Sequence, residues 1–138
     1  MIVRSLHLNG VTKMCEILFR GKQKHNEKKE WVYGDLLQTF SYKGKSCSIM
    51  EQTPVAMNFP VIPETVGRFS GENDKNRTKI FEGDIVEAYK YGEEKHIKTI
   101  TFRNGCFYFG NWNFAEFLDK FRLYKVIGNI YDNPELLK

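Results

Sequence analysis

A chain of 138 residues, 41% hydrophobic and 28% charged, is long enough to form one domain with a core of its own, without a disulfide or metal staple. Its net charge of +4 is uneven: residues 1–45 hold nine basic and four acidic side chains, and residues 46–138 hold twelve and thirteen. That bias permits contact with nucleic acid or acidic partners without requiring it, and it excludes a strongly charged tail.

In chain order, Glu16 to Arg20 is a short apolar run that reads as a strand. The stretch from Gly21 to Lys29 carries Lys22, Lys24, Lys28 and Lys29 without apolar periodicity, so it reads as a solvated hairpin loop. Trp31 to Phe40 is the returning strand, with Gly34 marking a bulge or a close backbone approach. Tyr42 to Lys45 forms a turn into a strand over Cys47 to Glu51. Pro54, Pro60 and Pro63 exclude a helix or central strand from residues 54–63. The interleaved Val55, Met57, Phe59, Val61 and Ile62 predict an extended segment across the core, with Met57 and Phe59 packed inside.

Thr65 to Phe69 reads as a strand, followed by a polar loop from Gly71 to Lys79. Gly83-Asp84 supplies turn chemistry ahead of the β-branched pair Ile85-Val86, opening a strand to Tyr91. Gly92-Glu93-Glu94 turns it into Ile97 to Arg103, and Asn104-Gly105 tolerates positive φ at both positions of a hairpin turn into Cys106 to Phe109. Residues 84–110 are therefore a three-stranded antiparallel meander. Asn113 caps a helix whose Phe114, Phe117, Leu118 and Phe121 share one face. A last strand, Leu123 to Tyr131, is interrupted by Gly128, and Asn133 as N-cap with Pro134 at N1 opens a final helical turn.

Chemistry-bearing residues are sparse. Cys15, Cys47 and Cys106 are odd in number and include no Cys-x-x-Cys pair, which argues against a disulfide framework or a zinc site. His7, His25 and His96 lack metal-ligand spacing and read as solvent-exposed. Glu82, Asp84 and Glu87, with Asp74 before them, are the one acidic cluster beside a defined turn. Asp84 and Glu87 are three apart in a strand and point to opposite faces, so a metal nuclease is disfavoured, and Asp84 is expected to accept N–H groups in the turn after Gly83. No catalytic residue, metal or cofactor is assigned. No apolar stretch reaches the about 18–20 residues of a membrane span, the N-terminus is too polar for a secretory signal, and the thiols suit a cytoplasmic protein.

Two binding classes remain. Tyr89, Lys90, Tyr91, Lys95, Lys98 and Arg103, with Tyr108, interleave cations and aromatic rings as single-strand binders do. The other class is the one expected first, with nucleic-acid binding as its alternative: a β-rich chain offers strand edges for a protein partner or for a second copy in a homo-oligomer.

Three segments carry a family resemblance. They are Ile17 to Lys22 followed by Trp31 to Leu36, Glu64 to Gly71 running through Asp74-Lys75-Asn76 to Val86, and Val126 to Leu137. In order and spacing they resemble the YopX-like family of phage and prophage proteins from about residue 14 onward. The family usually has Asn-Gly where this chain has Asn76-Arg77, so a looser turn is expected there. It typically begins where Met14 stands, which makes residues 1–13 an N-terminal extension, expected to be disordered, ahead of a 14–138 domain. The resemblance implies a mostly β single domain, a curved antiparallel sheet or small barrel with one or two short helices. It also implies a phage or prophage origin; together with the sparse chemistry and the thiols, the expectation is a non-enzymatic accessory module that binds a macromolecule in the host cytoplasm. It transfers no catalytic residue.

Overall fold

The computed structural model describes residues 16–91 and 94–138. The proposed 1–13 extension and most of the 92–94 turn lie outside the described residues. Two antiparallel sheets account for most of the chain. The first has six strands: β1 (Phe19–Lys22), β2 (Trp31–Ser41), β3 (Gly44–Met50), β4 (Asn58–Val61), β5 (Gly67–Asn73) and β6 (Lys79–Phe81), in the order β4-β3-β2-β1-β5-β6. The second has five: β7 (Asp84–Lys90), β8 (Glu94–Arg103), β9 (Cys106–Phe109), β10 (Trp112–Asn113) and β11 (Phe121–Asn129), in the order β10-β9-β8-β7-β11. A helix, α1 (Phe114–Lys120), connects β10 to β11, and 3-10 turns occupy Pro63–Thr65 and Pro134–Leu137. No described helix is long and apolar enough to cross a membrane.

The first sheet is curved. β4 pairs with β3 on one side, and its far end returns to the chain just after β1 through the Gln23–Val61 bridge. Lys24 N–H donates to Pro60 and Ile62 N–H to Lys22, each at 2.9 Å. The sheet curls in this way without forming a closed barrel. Val32, Cys47, Ile49 and Val61 fill its interior. Gly34 is where β3 comes closest, since a Cβ built there would lie 2.0 Å from the Met50 carbonyl oxygen.

The second sheet holds the larger core. Val86, Ala88, Ile100 and Phe109 pack with Phe117 of α1, Phe121 and Ile80. Phe109 stacks on Phe117 with ring centroids 4.5 Å apart. The β7-β8-β9 meander forms as expected, with Asn104 and Gly105 both at positive φ (52° and 78°) in the hairpin turn. Asn113 caps α1 by accepting from the Glu116 N–H at 2.9 Å.

Several expectations are corrected. β1 starts three residues after Glu16. Residues 54–63 do not cross the core: they lead into the edge strand β4, with Val55 and Met57 exposed and Phe59 half-buried against the Val61 cluster. An edge position explains why Pro60, which has no N–H to donate, is tolerated. The segment from Thr65 begins as a 3-10 turn, and the predicted 71–79 loop narrows because β5 continues to Asn73 and β6 starts at Lys79. The 74–78 turn is closed, not loose: Arg77 N–H donates to the Asp74 carbonyl at 2.9 Å, and Arg77 itself takes φ 65°. His96 is not solvent-exposed, since its half-buried ring sits edge-on to Trp112 and Phe121 at 5.2 Å from each. Asn133 does not cap the last turn; its Oδ1 accepts from Asn129 N–H at 3.2 Å.

Candidate functional site

The five-stranded sheet has two unlike faces. Directly opposed residues on antiparallel strands share a face, and successive residues alternate. Val86, Ala88, His96 and Ile100 therefore point toward α1. On the other side lie Glu87, Tyr89, Lys95, Ile97, Thr99, Thr101, Arg103 and Tyr108, paired as Tyr89–Lys95, Glu87–Ile97 and Thr101–Tyr108. β11 extends this second face, because Arg122 opposes Tyr89 and Lys125 opposes Glu87. None of these ten side chains is buried, but Ile85, which opposes Thr99 on the same face, is fully buried, so the face is open to solvent only to either side of it.

The six residues singled out from sequence divide between the two faces. Tyr89, Lys95 and Arg103 lie on the open face with Tyr108. Lys90 and Lys98 do not: Lys90 Nζ lies 5.4 Å from the Trp112 ring, and Lys98 packs along Gly110 on the helix side. Tyr91, just past β7, donates its hydroxyl to the Asp119 carbonyl at 2.8 Å and carries the Arg122 guanidinium 4.8 Å above its ring. Arg122 and Lys125 had no sequence signal. In a regular strand they would point apart, and the register shift between them brings both onto one face. Among the described residues, the open face thus carries Lys95, Arg103, Arg122 and Lys125 against the single carboxylate of Glu87. Arg103 stacks over Tyr108 at 3.9 Å, and its Nη1 donates to Thr101 at 3.1 Å.

A second concavity lies between the sheets, a cleft of about 550 Å³. Arg20 and Asp84 form an ion pair in its wall at 2.9 Å, with Arg20 5% and Asp84 2% exposed. Asp84 Oδ2 also accepts from Phe81 N–H at 2.7 Å, so it serves the residues before Gly83 and not those after it. Burial raises its carboxyl above the ordinary 3.8, opposed by the Arg20 charge and the Phe81 hydrogen bond. The Arg20 guanidinium lies 4.4 Å from the Trp31 ring and 5.0 Å from Phe81. At one end, Asp132 bonds Lys22, Trp31 Nε1 and Asn129. Desolvation pushes Asp132 up, but these hydrogen bonds outweigh it and hold the carboxyl at about 2.

The other members of the acidic cluster are dispersed. Glu82 Oε1 accepts from Arg68 N–H at 3.4 Å, Glu87 lies on the open face, and Asp74 is buried against β11. Among the described residues, no three His, Cys, Asp or Glu side chains converge as metal ligands do.

The chain matches the YopX protein family over residues 18–138, nearly its whole length. It belongs to that family. The crystal structure of protein EF1440 from Enterococcus faecalis is similar to this YopX-family chain at 25% identity and a TM-score of 0.55, covering 89% of this chain and 99% of that one. No curated protein matches the sequence.

Proposed function

We propose that this YopX-family chain is a non-enzymatic phage or prophage accessory module that binds single-stranded nucleic acid on the open face of its five-stranded sheet. The observation that carries this reading is the sharing of one face by Lys95, Arg122 and Lys125 near Tyr89 and by Arg103 beside Tyr108, with one carboxylate among them in the described residues. Cations that track a phosphate backbone and rings that accept stacked bases are the two requirements of sequence-tolerant single-strand binding. The test is a titration of labelled single-stranded DNA and RNA over a salt series. Affinity is expected to fall as salt rises, with a log–log slope of about −0.7 per neutralised phosphate. Replacing Lys95 and Arg122 with Glu should abolish binding, while Lys98→Glu on the opposite face should leave it nearly unchanged. No binding at low salt dismisses the proposal, as does equal sensitivity to the two charge reversals.

A second reading, binding to a protein partner or to another copy, is favoured by a separate feature. The β2–β3 hairpin carries the chain's most exposed aromatics, Phe40 at 75% and Tyr42 at 94%. Light scattering that reports one monomeric mass at every concentration would remove self-association.

A further inference from the structure

We infer that the β2–β3 hairpin is a ribbon that enters the major groove of double-stranded DNA. Its two strands outrun their neighbours: β1 pairs with β2 only over Trp31–Gly34, and β4 with β3 only over Cys47–Met50. Beyond the Gln38–Cys47 pair, Thr39–Ser46, Phe40–Lys45 and Ser41–Gly44 have no third strand beside them. Every residue from Leu37 to Ser46 is exposed. A two-stranded segment without cover is marginal in water by itself, so this one is held by the sheet at its base and presents its tip to solvent. Four residue steps from Leu37 to Ser41, at about 3.4 Å each, reach about 13 Å. The major groove is about 8.5 Å deep and wide enough to admit a two-stranded ribbon.

Charge selects the partner. Leu36 to Met50 include Lys43 and Lys45 and no carboxylate. Lys45 lies directly opposite Phe40, and Lys43 Nζ lies 5.8 Å from the Tyr42 ring, so each exposed aromatic has a cation beside it. The cations fix the ribbon on phosphates, and Phe40 offers the apolar contact that thymine methyl groups accept in the major groove. Gln38, Thr39, Ser41 and Ser46 add hydrogen-bonding groups for base edges and phosphates. Phe40 and Tyr42 by themselves would equally suit a protein partner or a second copy. The residues around them argue against both: lysine and serine are depleted in protein interfaces, and two ribbons meeting symmetrically would bring four lysines together. The ribbon and the open face are separate surfaces, and either proposal can fail alone.

The test is fluorescence anisotropy of the full chain with labelled duplex DNA, duplex RNA and single-stranded DNA of matched length and sequence. Duplex DNA is expected to bind about tenfold or more tightly than duplex RNA, whose major groove is too deep and narrow for side chains to read. Lys43→Gln with Lys45→Gln should weaken duplex DNA binding by about tenfold or more and make its log–log salt slope shallower by about 2, one for each lysine lost. Single-stranded DNA should bind that variant nearly as before. Phe40→Ser with Tyr42→Ser should weaken duplex binding by roughly threefold to tenfold, and all four positions are exposed, so the variants keep the fold. The inference is overturned if duplex DNA does not bind at low salt, or if the two duplexes bind equally. It is overturned too if the lysine variant binds duplex DNA as the wild type does, which would leave the lysines guarding strand edges. The same holds if the Phe40 and Tyr42 substitutions leave duplex affinity unchanged and turn an associating chain monomeric in light scattering, which gives the ribbon to a second copy.

Discussion

Arg77 holds the left-handed conformation at φ 65°, which costs a residue with a Cβ about 1–2 kcal/mol. The turn keeps it there because Asp74 accepts N–H groups from Asn76 and Thr78 through its side chain and from Arg77 through its carbonyl. Arg77→Gly should remove the strain and return part of the gain as unfolded-state entropy, for a net stabilisation of about 0.5–1 kcal/mol. Urea denaturation should show a higher midpoint with an unchanged slope, and a lower midpoint would refute the strain. Asp132 offers a pH test. Its carboxyl is held at about 2, below the ordinary 3.8, so its contribution to stability is complete above pH 3.8 and is lost as pH falls toward 2. Asp132→Ala should therefore lower stability at neutral pH and reduce the dependence on pH between about 4 and 2, measured as urea midpoints across that range. Asp84 works in the other direction: raised by burial, it weakens the fold as pH climbs above 3.8. None of these roles was legible in the sequence. Arg20 stands 64 positions from Asp84 along the chain, and no local pattern announces a partner at that separation.

At the scale of elements, local chemistry was the readable part. Asn104-Gly105, the Asn113 cap and the alternation in β8 each depend on neighbours a few residues away, and each is found in place. The faces of the lysines are a correction: Lys95 and Lys98 group as one surface in the sequence, yet β8 begins at Glu94 and they diverge because they are three apart in a regular strand. What could not be read is a bulge, and the one in β11 decides that Arg122 and Lys125 act together. Gly34 tests how tightly elements constrain one another. Its place in the strand pattern predicts a bulge or a close approach, and the structure shows the approach, against the Met50 carbonyl. An Ala Cβ at 2.0 Å from that oxygen cannot be relieved by turning a side chain, because the obstacle is backbone. Gly34→Ala should force β2 and β3 apart at the Asp35–Met50 end, costing about 3 kcal/mol or more. Chemical denaturation checks this, and a loss below about 1 kcal/mol would mean that the two strands can separate locally at little cost.

At the scale of the molecule, the two sheets are tied at their margins by groups that also close strand edges. Asp74 is the clearest case. It sits in the turn between β5 and β6, yet its Oδ2 accepts from Val126 N–H of β11 at 2.9 Å, while Lys75 N–H donates to the Tyr124 carbonyl at 3.0 Å. These bonds use main-chain groups of β11 that would otherwise face outward. That covering counts against the expectation of ready strand addition, at least along this margin, because an incoming strand would have to displace the 74–75 turn first. Asp74→Ala should remove three charge-assisted acceptances at once, from Asn76, Thr78 and Val126. A cost of about 2–3 kcal/mol is expected, since the exposed turn can find water but Val126 N–H is partly buried. Asp74→Asn keeps one acceptor oxygen, which can serve the turn or β11 but not both, so it should fall between wild type and Ala. Freed edge groups make a second, independent signature: the Ala variant should associate with rising concentration in light scattering where the wild type does so less. If Asp74→Ala loses less than about 0.5 kcal/mol, within the range of ordinary surface substitutions, the turn is not what holds this margin. If it is destabilised but shows no added association, Asp74 joins the sheets without guarding the edge.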